Sequence, residues 1–303
     1  MRILHLLLGA VILAFSIWFL DWKVLLESLG RLHTGPIVQV LLLCEVLLLL
    51  VAWRWQRIVH DIVDVPVREH LQYFLLGNYL NTFTPANLGG DIYRVVMLVR
   101  AGGDRNRLIA AAFAEKSWGL GTYLIVFLVC YAVMKFAYGG ASSPEIDAMA
   151  IIICMVAVAG GGGLLIIPHI EKYVSACGRF RRIAKLSNFI AGALHAHKPV
   201  VQVQIFILSL LNLGLWVFAA LILAQDLEID VTIPELALVA ILTEIVRIIP
   251  ISAQGIGIRE GAYSYLFYTM GYSPQDGFIL GASIYIILTI IFAVNGMVGW
   301  LLG

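Results

Sequence analysis

Two arginines, Arg94 and Arg259, each follow a Pro and Gly break inside an otherwise apolar stretch. A helix that restarts after such a break leaves its first backbone N–H groups without partners inside the helix. Those N–H groups, joined by a guanidinium, suit a phosphate or a carboxylate. The spacing recurs: Pro85 is followed by Gly90 five residues later and Arg94 nine later, and Pro250 by Gly255 and Arg259 at the same offsets. Other ionisable residues in apolar surroundings are Glu45, Asp91, Glu115, Lys116, Glu244, Arg247 and Glu260. At bilayer depth each costs roughly 2.5–3.5 kcal/mol on insertion scales. Left unpaired, the set would cost well over ~10 kcal/mol, more than a typical net folding stability. These groups must therefore converge on one another or on water.

Two readings of the arginines stay open. In one, Arg94 and Arg259 hold an anionic headgroup in a cavity between the breaks, with Asp91 and Glu260 tuning them. Asn87, Gly90, Gly255 and Gly257 belong to the same candidate substrate-binding set. In the other, Arg94 pairs with Asp91, and Arg259 with Glu244 or Glu260, only to pin the breaks in place. Glu45, Glu115 and Glu244 are candidates for proton or ion coupling. The plainer alternatives are ion-pair glue for Glu115 and a self-satisfied i, i+3 pair of Glu244 with Arg247. Asn78, Asn81 and Asn87 could line a polar path, and interhelical hydrogen bonds would explain them as well.

The elements that must position these residues are hydrophobic helices. Of 303 residues, 61% are hydrophobic and 13% charged, half the charged share of a soluble chain. Apolar runs long enough to cross about 30 Å of hydrocarbon occur at Ile3 to Leu20, Pro36 to Trp53, Leu108 to Phe136, Ile146 to Ile167, Val200 to Ala224 and Gly277 to Leu302. Two more, residues 71–99 and 234–270, are interrupted by NTFTPANLGGDIYR and IIPISAQGIGIREG, where Pro and Gly argue against straight helices. Lys and Arg crowd residues 54–68, 100–107 and 169–199 and are missing from 139–145, 225–233 and 271–276. The positive-inside rule puts the first three in the cytoplasm and the last three outside, with Lys23 and Arg31 in mild disagreement.

That bookkeeping closes only if each broken region enters and leaves on one side. The expected fold is an all-α polytopic membrane protein of six full spans plus two re-entrant helical hairpins. Residues 1–303 form a single membrane domain with both termini cytoplasmic. Residues 1–137 make the first repeat and 146–303 the second, inverted relative to it, as in many transporters. Residues 169–199 form a basic loop, whose Phe180, Ile183, Leu186 and Ile190 suit an interfacial helix or a plain solvated loop.

Other chemistries are disfavoured. Cys44, Cys130, Cys154 and Cys177 have no paired spacing and read as free thiols, and His195 with His197 is a poor start for a metal site. GIGIREG lacks the strand a dinucleotide loop needs. The run Gly160 to Gly163 lacks the Lys-Ser/Thr of a phosphate loop. No cofactor and no nucleic acid is expected.

The stretches PANLGGDIYRVVMLVRAG, AAAFAEKSWGL and PISAQGIGIREGAYSYLFYTMGYS resemble the signatures of flippase-like membrane proteins related to the transmembrane domain of lysylphosphatidylglycerol synthase, the multiple peptide resistance factor. The resemblance extends over nearly the whole chain. It rests on Pro85, Gly89, Gly90, Asp91 and Arg94, and on Pro250, Gly255, Gly257, Arg259 and Glu260. Lys116 departs from the Arg usual there. The resemblance implies a protein of the bacterial inner membrane that moves a lipid between leaflets. It implies no aminoacyl transfer, which belongs to a separate soluble domain that is not expected here, since the chain ends at Gly303 directly after its last span. The alternative is an accessory subunit that scaffolds a lipid-modifying enzyme and moves nothing; a homo-oligomer fits either reading. A membrane-embedded enzyme lacks a nucleophile–base set.

Overall fold

Pro and Gly end helices and apolar stripes bury them, and the chain folds accordingly. A computed structural model describes residues 30–84, 88–137, 143–155, 199–247 and 257–303, and every regular element among them is helical. In chain order these are α1 (Thr34–Val59), α2 (Val67–Asn81), α3 (Leu88–Arg100), α4 (Arg105–Ala137), α5 (Pro199–Asp226), α6 (Ile233–Val246), α7 (Ile258–Thr269) and α8 (Pro274–Leu301). Residues 144–155 are also helical. Four helices among the described residues are long and apolar enough to cross a membrane: Thr34–Val59, Arg105–Phe136, Val200–Asp226 and Pro274–Leu301. The expected span at residues 3–20, the later part of 146–167, nearly all of the basic loop, Asn87, Cys177 and Gly255 lie outside the described residues.

The span ends need correcting. α1 runs on to Val59, past the expected end at Trp53, because Arg54 and Arg57 find partners on neighbouring helices instead of closing the span. Arg57 Nη2 donates to Gln204 Oε1 at 3.1 Å. Each interrupted region is a pair of short helices. α2 and α6 have 15 and 14 residues, or about 21–23 Å of axis, short of the ~30 Å hydrocarbon thickness. Their partners α3 and α7 pack back against them.

Glycine sets how closely these pairs approach. A Cβ on Gly90 would sit 2.2 Å from the Gly77 carbonyl oxygen, so α2 and α3 touch backbone to backbone. Asn81 Oδ1 accepts the Gly90 N–H at 2.6 Å and Thr84 Oγ1 the Gly89 N–H at 2.9 Å, capping the start of α3 from the end of α2. In the second pair, Thr232 and Glu235 form a capping box at the start of α6. Tyr272, in the turn before α8, donates to Glu235 at 2.8 Å. Burial first, then this carboxylate, push its phenol above the ordinary range, so it stays a donor.

α6 occupies the centre. Leu236 through Leu242 are buried on every side, as expected for a helix without a polar face. The outward faces of α1 carry Leu42, Val46 and Leu49. The main helix packing pairs show a regularity: exchanging α1 with α5, α2 with α6, α3 with α7 and α4 with α8 turns each pair into another observed pair. Thus α2–α8 answers to α4–α6, α4–α5 to α1–α8, and α1–α5 to itself.

Gly90→Ala should lower the thermal midpoint of the detergent-solubilised protein, since overpacking such a contact costs ~1–3 kcal/mol. Gly214→Ala, where an added Cβ meets nothing within 4 Å, should leave it unchanged. Equal midpoints for the two variants would contradict the α2–α3 contact.

Candidate functional site

Arg94 lies two turns into α3 and is 6% exposed. Its guanidinium sits between two rings, 4.6 Å from the Trp55 centroid and 5.2 Å from Phe74, contacts that gain strength once water is excluded. Nη2 donates to Asp91 on its own helix and lies 3.4 Å from Glu115 Oε2 on α4. Glu115 Oε1 accepts from Arg54 Nη2 on α1 at 3.0 Å, and Arg54 Nη1 donates to Ser209 on α5 at 2.9 Å. Lys116 Nζ is 2.7 Å from Asp91 Oδ2, with its side chain half exposed. His70 Nε2 lies 3.1 Å from the Ala52 carbonyl oxygen, fixing α2 to α1 beside Trp55. Three cations thus face two carboxylates, leaving one positive charge over.

The second cluster is built alike around Arg259, which is 1% exposed and whose Cζ lies 5.9 Å from the Trp216 ring. Each arginine therefore stacks on an indole from the long helix before its own pair, Trp55 of α1 and Trp216 of α5. Glu244 near the end of α6 accepts from Arg247 and lies 3.5 Å from Arg259 Nη2. Glu260, in the first turn of α7, turns to its own helix and accepts the Gly257 N–H at 2.8 Å. Gly257 has φ +77°, a conformation open to glycine, which allows this turn-in. Tyr123 on α4 interacts with Arg54 of the first cluster and with Glu244 and Arg247 of the second.

Some donors remain unused. Among the described residues, Arg94 Nη1 and Arg259 Nε and Nη1 are buried without a hydrogen-bond partner, as are Asn78 Nδ2 and Thr243 Oγ1. Asn78 and Thr243 stand as far before Arg94 and Arg259, respectively, as each other. A buried unmet donor costs ~1–3 kcal/mol, more when charged. Two such guanidiniums, each with buried donors left over among the described residues, are suited to donating to oxyanion oxygens.

The i, i+3 pairs Asp91–Arg94 and Glu244–Arg247 form as their spacing suggests, and Arg259 reaches Glu244 rather than Glu260. Gly90 serves the helix contact. Arg94 and Arg259 share no carboxylate among the described residues. Glu45, near the middle of α1, accepts from Asn295 Nδ2 of α8 at 2.8 Å. Sequence position puts Arg54 among loop charges; the structure makes it the second holder of Glu115. Its place between Trp53 and Trp55, directly after an apolar run, was the available signal. Trp216, Ser209 and Tyr123 carried none. Cys44, Cys130 and Cys154 are free thiols.

The family model described as Lysylphosphatidylglycerol synthase TM region matches residues 2–295. No curated protein and no solved structure matches the chain.

Glu115→Gln leaves Arg54 without a carboxylate partner among the described residues and Arg94 with Asp91 alone. Breaking a buried pair this way costs ~3–5 kcal/mol, so the variant should unfold at a markedly lower temperature than wild type in detergent. An unchanged midpoint would remove Glu115 from the role of buried counter-charge.

Proposed function

As the chain belongs to the family of the lysylphosphatidylglycerol synthase transmembrane region, we propose that it is a lipid translocase moving an anionic or headgroup-modified lipid between the leaflets of the bacterial inner membrane. The observation that carries this is the pair of buried guanidiniums, Arg94 and Arg259, with unmet donors over the indoles of Trp55 and Trp216. The headgroup's phosphate oxygens accept from Arg94 Nη1 and from Arg259 Nε and Nη1. Asp91, Glu115 and Glu244 hold the guanidiniums in place, and the α3 start capped by Asn81 and Thr84 steadies the first of them. Trp216 also borders an apolar crevice with Val40, Cys44, Leu223, Ile284 and Ile287, so a guanidinium and a hydrocarbon-compatible surface meet at one ring.

In this reading α2–α3 and α6–α7 are re-entrant hairpins, dipping in from the cytoplasm and from outside respectively. Residues 1–137 and 146–303 are inverted repeats, and both termini are cytoplasmic. The exchange regularity of the helix packing and the common Pro–Gly–Arg spacing support this. Rocking of one repeat against the other exposes the site to each leaflet in turn. No nucleotide drives the step, which runs either downhill or coupled to protons or ions.

Purified protein in liposomes should speed exchange of fluorescent phosphatidylglycerol between leaflets. Arg94→Ala with Arg259→Ala should abolish the gain. Arg94→Lys and Arg259→Lys keep the charge and lose the planar fork, so each should weaken headgroup binding roughly ten- to hundredfold, the worth of a charged hydrogen bond. Undiminished exchange by folded double-alanine protein would overturn the roles assigned to the arginines. No exchange by wild type, with a lipid-modifying enzyme co-purifying, would favour a non-transporting accessory subunit instead.

A further inference from the structure

Glu115, Glu244 and Glu45 are carboxylates on long or central helices of the bundle, and they are held differently. Glu115 sits between Arg54 and Arg94, and Glu244 between Arg247 and Arg259. Each would lose two guanidinium contacts on taking up a proton. Glu45 has only the Asn295 amide as partner among the described residues, at 2.8 Å. It lies about 17 Å from the Thr34 end of a helix about 39 Å long, so it is near mid-membrane. Its partner there is a neutral amide, whereas Glu115 and Glu244 are held by guanidiniums.

Among the described residues of the helices packed on α1, the other charges are engaged elsewhere. α5 carries no ionisable residue between Gln204 and Asp226, and Asp226 binds His33. On α8 the titratable groups are Asp276, in its first turn, and Tyr285. On α4, Glu115 and Lys116 belong to the Arg94 cluster, Tyr123 lies near Arg54 and Glu244, and Lys135 pairs with Asp147 near the far end. On α2, His70 is turned to the Ala52 carbonyl.

Glu45 is also mechanically connected to the headgroup site. Asn295 is followed by Gly296, whose Cβ position would lie 2.6 Å from the Tyr79 ring of α2, so α8 rests directly on that ring. Two residues on from Tyr79, Asn81 accepts the Gly90 N–H at the start of the helix that carries Arg94. The Glu45–Asn295 bond joins α1 to α8, helices of the two proposed repeats, and α8 rests on the pair that holds the arginine. This is a contiguous chain of packed groups between the two sites.

We propose that Glu45 is a proton-binding site that makes the protein a proton–lipid symporter, an inference that rests on the translocase reading above. In the proton-loaded state, Glu45 has taken H⁺ from hydronium on the open side, leaving water. Its neutral carboxyl keeps the Asn295 hydrogen bond through Oε1 and carries the proton on Oε2. After the repeats rock, the proton passes to water on the other side, and the ionised carboxylate remains until the site reopens. One proton travelling with one monoanionic headgroup moves no net charge, so the membrane potential does not oppose the loaded step.

The test uses the full chain in phosphatidylglycerol-containing liposomes, with short-chain fluorescent phosphatidylglycerol and a pH dye in the lumen. With wild type, an imposed pH gradient should bias the labelled lipid by up to about tenfold per pH unit for one proton per lipid, and the dye should report protons moving with it. Glu45→Gln, which keeps the shape and an acceptor for Asn295, should let the lipid reach an even distribution whatever the gradient, with no dye response. A gradient response surviving in Glu45→Gln would overturn the assignment, as would wild type that moves lipid without regard to pH. Wild type that moves no lipid would overturn the translocase reading and this inference together, which separates the two failures. Should Glu45→Gln not fold, Glu45→Ala takes its place, and a gradient response surviving in it would overturn the assignment in the same way.

Discussion

A guanidinium buried in hydrocarbon has to be neutralised, hydrated or occupied, and the rest of this structure follows from how two of them are kept. Arg94 and Arg259 are each pressed against an indole, each held on one nitrogen by a carboxylate, and each left with buried donors to spare among the described residues. Pairing alone would have been met more cheaply by apolar side chains of similar volume. The buried donors left over beside those carboxylates are the feature that separates a receptor from a structural pin.

Holding a charge in such a place demands rigid neighbours. The two short helix pairs supply them because glycine lets their backbones touch and because polar side chains close their ends. Asn81 and Thr84 cap α3 from within the first pair, while Glu260 caps α7 from its own first turn. The same economy places Gly277 under the Tyr263 carbonyl and Gly296 against Tyr79, so that α8 seats both pairs at once. The exchange regularity in the helix packing extends to chemistry, since the arginines and the indoles beneath them occupy corresponding helices. The carboxylates do not correspond: Glu115 comes from α4 and Glu244 from α6. The proposed halves are therefore alike in architecture and unlike in the counter-charges that set how firmly each arginine is held.

What was legible in the sequence was local. The helical membrane class follows from composition, the long helices from apolar runs, and the breaks from Pro and Gly. Asp91 with Arg94 and Glu244 with Arg247 could be read because i, i+3 neighbours meet on any helix. Glu115 with Arg54 lie far apart in sequence, and Glu45 with Asn295 farther still, and no periodicity encodes which helix face meets which. Arg54 was obscured for another reason: a cation just past an apolar run reads as a loop charge until a neighbouring helix is seen to carry its counter-ion. Glu260 illustrates the reverse, a residue whose charge suggests an ion pair but whose place three residues beyond a positive-φ glycine makes it a cap.

The central claim is that the spare donors of Arg94 and Arg259 exist for a lipid headgroup. Density for the protein in nanodiscs of native lipid, fine enough to locate phosphorus, tests this most directly. The account predicts a phosphate within hydrogen-bond distance of Arg94 Nη1, or of Arg259 Nε or Nη1, with its acyl chains leading away into the surrounding lipid. If all three nitrogens were found bonded to the chain's own carbonyl oxygens, with lipid confined to the outer belt, the arginines would be structural pins and the account would be contradicted.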